Sequence, residues 1–393
     1  MSPIYLDYNA TTPIDPQVAE AMLPYLHQHF GNPSSSHDYG QTTAAAVDQA
    51  RGQLAGMLGC HAEEVIFTSG GTESNNHAIK GVAGAYRQKG NHIITSSVEH
   101  PAVLEVCRWL ETQGFRVSYL PVDGFGAVDP QRVEAALTPE TVLVTIMHAN
   151  NEVGTIQPIA EIVTIAHRHG ALMHTDAAQS VGKIPVNVAD LDIDLLSIAG
   201  HKLYAPKGIG ALYIRKGVRL EKLMHGAGHE MGWRAGTENV LHTVGLGRAC
   251  QMIHENLPAY GSHLARMRDQ LEKGLSQHIP DLWINGHPEN RLPNTCSVSF
   301  ENLKANTILA QLEGLAASAG AACHADQVEV SSVLAAMALP LNYAMGTLRF
   351  SVGRFTTQDE IEQAVKEIVR VVSGQKEAQA AMSFRGSEAT EKA

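Results

Sequence analysis

Long apolar runs, clustered basic residues and paired cysteines are all missing from this chain of 393 residues. No stretch reaches the about 18 consecutive apolar residues that a membrane-spanning helix needs. The opening MSPIYLDYNATTP has neither the basic start nor the apolar middle of a secretory leader. No membrane is expected as a partner, and the expected address is cytoplasmic. The 29 Lys and Arg are outnumbered by 40 Asp and Glu, for a net charge of -11, and no basic cluster breaks that background. Nucleic acid, which is bound through a basic face, is not an expected partner either. The five cysteines, Cys60, Cys107, Cys250, Cys296 and Cys323, are odd in number and include no C-x-x-C pair. That argues against a disulfide framework and a thiolate zinc site, and it suits a reducing compartment. Histidine pairs at 27/29, 167/169 and 225/229 lack matching carboxylates or thiolates, so no metal is expected.

What is present is ordinary for a packed α/β protein: 44% apolar residues, 18% charged residues and 35 glycines. The length suits one domain of roughly 200–250 residues and a smaller companion. From about residue 60 to 215, short apolar runs alternate with helical stretches: VIFT, HIITSS, VSYLPV, VLVTIMHA, ALMHTDAA, LLSIAG and ALYIR. This rhythm predicts a largely parallel sheet flanked by helices, whose ligands collect beyond the carboxyl ends of the strands. After about residue 250 a helical stretch leads to RLPNTCSVSF, more helix and TLRFSVG, a second domain. The expected division is a large domain over 16–250, a smaller α+β domain from 1–15 and 251–379, and a polar tail, 380–393, that frays.

Three segments bear chemistry in that frame. VIFTSGGTESNNHAI runs a strand through Gly-Gly into a helix near Thr72, where free backbone N–H groups and the Ser69 and Thr72 hydroxyls can cradle a phosphate. A capped turn with Glu73 in the first helical turn reads the same. In HTDAAQSVGK, Asp176 ends an apolar run and can pair with a protonated pyridine nitrogen, or cap the helix after it. In LLSIAGHKLYAPKGIGALYI, Lys202 follows a buried strand; partial desolvation would free its amine for a Schiff base with an aldehyde, whereas a solvated surface lysine is the plain alternative. The three together, in that order and each at a strand end, favour the chemical reading.

With these motifs in hand the chain resembles the class V aminotransferase group of fold-type I pyridoxal-phosphate enzymes, and within it the cysteine desulfurase and selenocysteine lyase family. The resemblance runs from YLDYNATTP at residue 5 to SVGRFTT at 351. It implies a large domain with a mostly parallel seven-stranded sheet and a smaller α+β domain. It also implies pyridoxal 5'-phosphate held by Lys202, with Asp176 facing the ring nitrogen and Gln179 reaching the phenolic oxygen. His100, in SSVEHPAV, matches the family histidine that stacks on the ring and moves protons, a task for a group titrating near neutrality; a backbone-satisfied histidine at a helix entry is the alternative. Gly71, Thr72 and His201 match phosphate contacts, and Asn151 matches the asparagine beside cofactor oxygen and substrate carboxylate. Thr237, in WRAGTEN, matches a threonine supplied by a neighbouring subunit, which implies a homodimer. Arg349 matches the arginine that grips the substrate carboxylate, unless it serves a structural ion pair. Cys323, in the loop-like ASAGAACHADQVEVSSVL, matches the cysteine that takes the sulfur as a persulfide. Its spacing from Arg349 resembles the longer-loop branch of the family.

The resemblance therefore implies conversion of L-cysteine to L-alanine with sulfur passed to an acceptor protein. The rival is release of selenium from L-selenocysteine, since GAACH, SGGTESNN and RLPNTC are also similar to the lyase branch, while Pro101 after His100 resembles nitrogen-fixation-type desulfurases. A non-catalytic protein on the same fold is a third reading, which the intact set of Lys202, Asp176, His100 and Arg349 disfavours. One position departs from the family: Ala199 stands where a serine is usual two residues before the histidine of the lysine motif. The tail after 379 does not resemble the extension that docks an iron–sulfur scaffold, so the acceptor stays open.

Overall fold

The apolar runs become one seven-stranded sheet. The computed structural model describes residues 3–324 and 327–390, with the backbone alone at 321–324, 327–329 and 381–390. A short strand β1 (Ile4–Tyr5) precedes helices α1 (Pro16–His27) and α2 (Asp38–Leu58). The sheet comprises β2 (Val65–Thr68), β3 (His92–Ser96), β4 (Arg116–Leu120), β5 (Thr141–Thr145), β6 (Leu172–Asp176), β7 (Leu195–Ala199) and β8 (Gly210–Ile214). Between its strands lie α3 (Gly71–Ala85), α4 (Pro101–Thr112), α5 (Pro130–Ala136) and α6 (Ile159–Arg168). Strand order is β2-β8-β7-β6-β5-β3-β4, with β8 antiparallel to β2 and β7 and the other pairings parallel. The mostly parallel sheet expected from the sequence is thus present. Strands β2, β3, β5, β7 and β8 are buried along their whole length. Both strand faces must therefore be apolar: Phe67, Ile94, Val144 and Leu196 enter one core, and their neighbours Ile66, Ile93, Leu143 and Leu195 enter the other.

Helix α7 (Val240–His278) then serves two cores. Leu246, Cys250 and Ile253 pack under the sheet; beyond Pro258, Leu264, Met267, Leu271 and Leu275 pack with Val298, Phe300, Leu348 and Phe350. The chain continues as β9 (Leu282–Asn285), β10 (Thr295–Phe300), α8 (Ala305–Gln311), β11 (Leu315–Ala316) and β12 (Ser318–Ala319). A hairpin of β13 (Ala321–His324) and β14 (Gln327–Val330), α9 (Ser332–Ala336), α10 (Leu341–Ala344), β15 (Thr347–Ser351) and α11 (Gln358–Thr390) complete the chain. An antiparallel sheet of order β12-β15-β10-β9 covers the second core. The N-terminus joins this half: β1 pairs with β11, and Asp7 bridges Ser351 beside β15. Cys323 falls in β13 rather than in a loop, and its side chain lies outside the described residues. Helix α11 includes most of the stretch that composition alone suggested would fray.

Candidate active site

Five strands of the large sheet, β2, β3, β5, β6 and β7, deliver polar groups to the same place. A cavity of about 380 Å³ is lined by Gly71 and Thr72 after β2, His100 after β3, Asn151 after β5, Asp176 and Gln179 at the end of β6, and His201 and Lys202 after β7; Arg349 of β15 closes it. That size lies within the usual range for small-molecule sites, about 300–1,000 Å³. Successive strands are added on opposite sides of β3, β4 on one and β5 to β7 on the other, so the strand order reverses between β3 and β5, and crevices at such points are where open α/β sheets bind ligands. Thr237 is exposed in the turn before α7 and is not among the lining residues.

Lys202 closes the short helical turn Gly200–Lys202, which needs glycine at its start because a Cβ on Gly200 would come 2.8 Å from the Ile209 carbonyl oxygen. Its Nζ donates to the carbonyls of Asn9 at 2.5 Å and Ala10 at 2.7 Å. Burial, reinforced by the Arg349 cation, pushes the amine down to about 8 against the opposing pull of Asp7 and Asp176. A useful fraction is therefore neutral and nucleophilic near neutral pH. Asp176 is buried; its Oδ2 accepts from Asn75 Nδ2 at 2.6 Å and its Oδ1 from the Ala178 N–H at 2.9 Å. The capping contact and an acid facing the cavity thus coexist.

The helix start at α3 is built for close approach. Gly70, at φ 150°, precedes the helix without a side-chain cap, and a Cβ on Gly210 would lie 2.6 Å from Gly70 Cα. A Cβ on Gly71 would lie 3.2 Å from that of Ala199, so the cradle is walled by two small residues where the family's serine would stand. Ser69, by contrast, is exposed, and its N–H donates to Glu73 at 2.7 Å. His201 shares a hydrogen bond with Thr11 Oγ1 at 3.2 Å; burial and then Lys202, Lys207 and His100 push it down to about 4, so it stays neutral. Such a set offers an anion N–H groups at the positive end of a helix.

His100 caps α4: Pro101 occupies the first turn, where its missing N–H is no loss, and His100 Nδ1 accepts from the Ala102 N–H at 3.1 Å. That contact assigns the tautomer with the proton on Nε2. His100 is exposed and lines the cavity, while enclosure by protein and the Lys202 cation hold the imidazole below its ordinary value and Asp176 opposes them. Arg349 NH2 donates to Asp7 Oδ1 at 2.7 Å and Ser318 Oγ at 3.1 Å, and NH1 to the Asn151 carbonyl at 3.1 Å; its buried Nε has no partner among the described residues. The ion pair that was the plain alternative for Arg349 exists, yet it leaves donor capacity unused at the cavity wall.

Comparison with known proteins decides the family. The aminotransferase class-V model matches residues 4–364. Cysteine desulfurase IscS of Dictyoglomus turgidum is 48% identical over 371 residues, 94% of each chain. The chain belongs to the cysteine desulfurase family of class-V aminotransferases. Among solved structures, a NifS-like protein superposes on this family member with a TM-score of 0.89 at 38% identity, over 94% of this chain and 99% of the other. A structure described as SspA in complex with cysteine gives a TM-score of 0.79 at 39% identity, over 90% and 99% of the two chains.

Several residues of this desulfurase-family site escaped the sequence reading. Asn9 and Ala10 receive the Lys202 amine, Asn75 holds Asp176, and Asp7 holds Arg349. Asn9, Ala10 and Asp7 sit in YLDYNATTP and Asn75 in SGGTESNN, so the motifs were seen but not the pairing across the chain. Glu99, adjacent to His100, is buried and accepts from Ser96 Oγ at 2.6 Å and the Met147 N–H at 2.9 Å; burial pushes its carboxyl up to about 8.

Proposed function

We propose that this protein removes sulfur from L-cysteine, leaves L-alanine and passes the sulfur through a persulfide on Cys323 to an acceptor protein of an iron–sulfur or thiolation pathway. The observation that carries this reading is the gathering, in one cavity, of a partly neutral lysine amine, a buried acid, an open helix start and an arginine with spare donors. Pyridoxal 5'-phosphate fits that donor set. Lys202 would take its aldehyde, Asp176 its ring nitrogen and Gln179 its phenolic oxygen, while Gly71, Thr72, His201 and a second copy's Thr237 would take its phosphate. When bound, the cofactor supplies an electron sink for charge developing at the substrate Cα.

The protein's own groups do the rest. Arg349, with Asn151 beside it, binds the substrate carboxylate through its planar fork. His100 or the freed Lys202 amine takes the Cα proton and later returns one. The Cys323 thiolate attacks the substrate Sγ; the Sγ–Cβ bond breaks with its electron pair left on the carbon side, and protonation there completes L-alanine. The other four thiols suit this role poorly: burial pushes Cys60, Cys107 and Cys296 up to about 12, and Cys250 in the same direction. A homodimer in the cytoplasm, without nucleic acid or membrane, completes the reading, and no feature of the site favours selenium over sulfur. Cys323→Ala is expected to abolish alanine formation from cysteine while leaving the cofactor's visible absorbance intact; undiminished turnover refutes the role of this thiol.

A further inference from the structure

Lys183 takes no part in the chemistry above, yet it lies behind the cavity wall at 6% exposure. A buried lysine is ordinarily paired with a carboxylate. Here, among the described residues, its Nζ meets only amide oxygens, Gln179 Oε1 at 2.7 Å and Asn9 Oδ1 at 3.0 Å. Burial and then the Lys202 and Arg349 cations drive the amine well below the ordinary lysine value. A neutral amine has two N–H groups for these two acceptors, whereas an ammonium would carry a third donor to satisfy.

The consequence falls on Gln179. With Oε1 turned to Lys183, its Nε2 donates to the Asn9 carbonyl at 3.0 Å, the same carbonyl that receives Lys202 Nζ. A flipped amide would set two carbonyl oxygens against each other. One Nε2 hydrogen is thereby committed, and the other is left for the cavity that Gln179 lines. Asn9 is buried and pinned further by Asn294 and Thr295, so Lys183 ties together the amide facing the cavity and the loop that meets Lys202.

We propose that Lys183 is a positioning residue for the cofactor: its two hydrogen bonds hold the Gln179 amide with its N–H end toward the cavity, presenting a donor to the phenolic oxygen, and hold the Asn9 carbonyl against Lys202. This rests on the proposed function. The test is the pH midpoint of the visible absorbance of the loaded enzyme. In Lys183→Met the phenolic oxygen loses an oriented donor and becomes more basic, so the midpoint rises by about one unit, a tenfold change in proton affinity. Gln179→Leu shifts it equally, and the double variant shifts it no further, as residues acting in series require. Lys183→Gln, which keeps an N–H₂ group, restores the wild-type midpoint. If Lys183→Met does not fold, Lys183→Ala, which leaves both acceptors in place, is read in its stead. An unmoved midpoint, or additive shifts in the double variant, overturns the proposal. Borohydride treatment of the wild type separates the two levels: cofactor not trapped on Lys202 overturns the proposed function itself, whereas trapped cofactor with an unmoved midpoint overturns only the role of Lys183.

Discussion

Replacing Arg349 removes two effects at once, and a second variant returns only one of them. The first is the proposed grip on substrate. The guanidinium is held by Asp7, Ser318 and the Asn151 carbonyl, with Nε buried and unpaired among the described residues. A hydrogen bond to a charged group contributes about 1.5–3 kcal/mol, so Arg349→Met should lower kcat/KM for cysteine roughly 10- to 150-fold. The second is electrostatic. After burial, the Arg349 cation is the largest influence holding Lys202 at about 8. Without it the amine moves up toward the ordinary lysine value, and each unit of rise leaves about tenfold less free amine at any pH below the midpoint. The assay is the rate at which cofactor-free protein couples to added pyridoxal phosphate, followed by absorbance across pH. In the wild type that rate rises through about pH 8; in Arg349→Met the rise is displaced to higher pH. Arg349→Lys keeps the charge, so the coupling profile returns to that of the wild type, but a point charge lacks the fork and kcat/KM stays low. An undisplaced profile in Arg349→Met refutes the electrostatic argument, and full kcat/KM in Arg349→Lys refutes the fork.

Glu99 makes stability depend on pH. Its carboxyl is pushed up to about 8 by burial, so the folded protein retains a proton that the unfolded chain releases above the ordinary carboxyl range. This stabilisation is whole in acid and is lost as pH rises through about 8, so Glu99→Gln, which mimics the protonated form, should raise Tm at about pH 8.5 and leave it nearly unchanged at about pH 5. Arg51 donates to Glu230 at 2.6 and 3.1 Å in a buried pair, and Glu230 also accepts from the Phe67 N–H at 2.8 Å. Arg51→Met strands that carboxylate at a cost of about 3–5 kcal/mol; thermal unfolding should show a loss of several degrees or more, and an unchanged Tm would mean the pair contributes nothing.

Much of the site was legible because the polar side chains that line the cavity follow apolar runs. Asp176 and Lys202 each come at or just past the end of a run that both cores claim, and both line the cavity. Gln179 and Lys183 lay in plain view in DAAQSVGK, but nothing in their spacing says that one amide oxygen faces an amine. Cys60, Cys107, Cys250 and Cys296 could not be graded either, since a thiol's reactivity depends on how deeply it is buried.

By itself the sequence determined the mostly parallel sheet, the order of Gly-Gly helix start, acid and lysine along it, and the excess of acidic over basic residues. These depend on residue type and on neighbours a few positions away, which patterning records. Only the tertiary structure decided what meets what: Asn9 against Lys202 and Lys183, Asn75 against Asp176, Asp7 against Arg349. The N-terminal strand reaches the second core by pairing with β11, and Arg349 comes to the cavity from β15. Those contacts join residues far apart in the chain, and the shifted amines at 183 and 202 arise from the burial and charge that such contacts create.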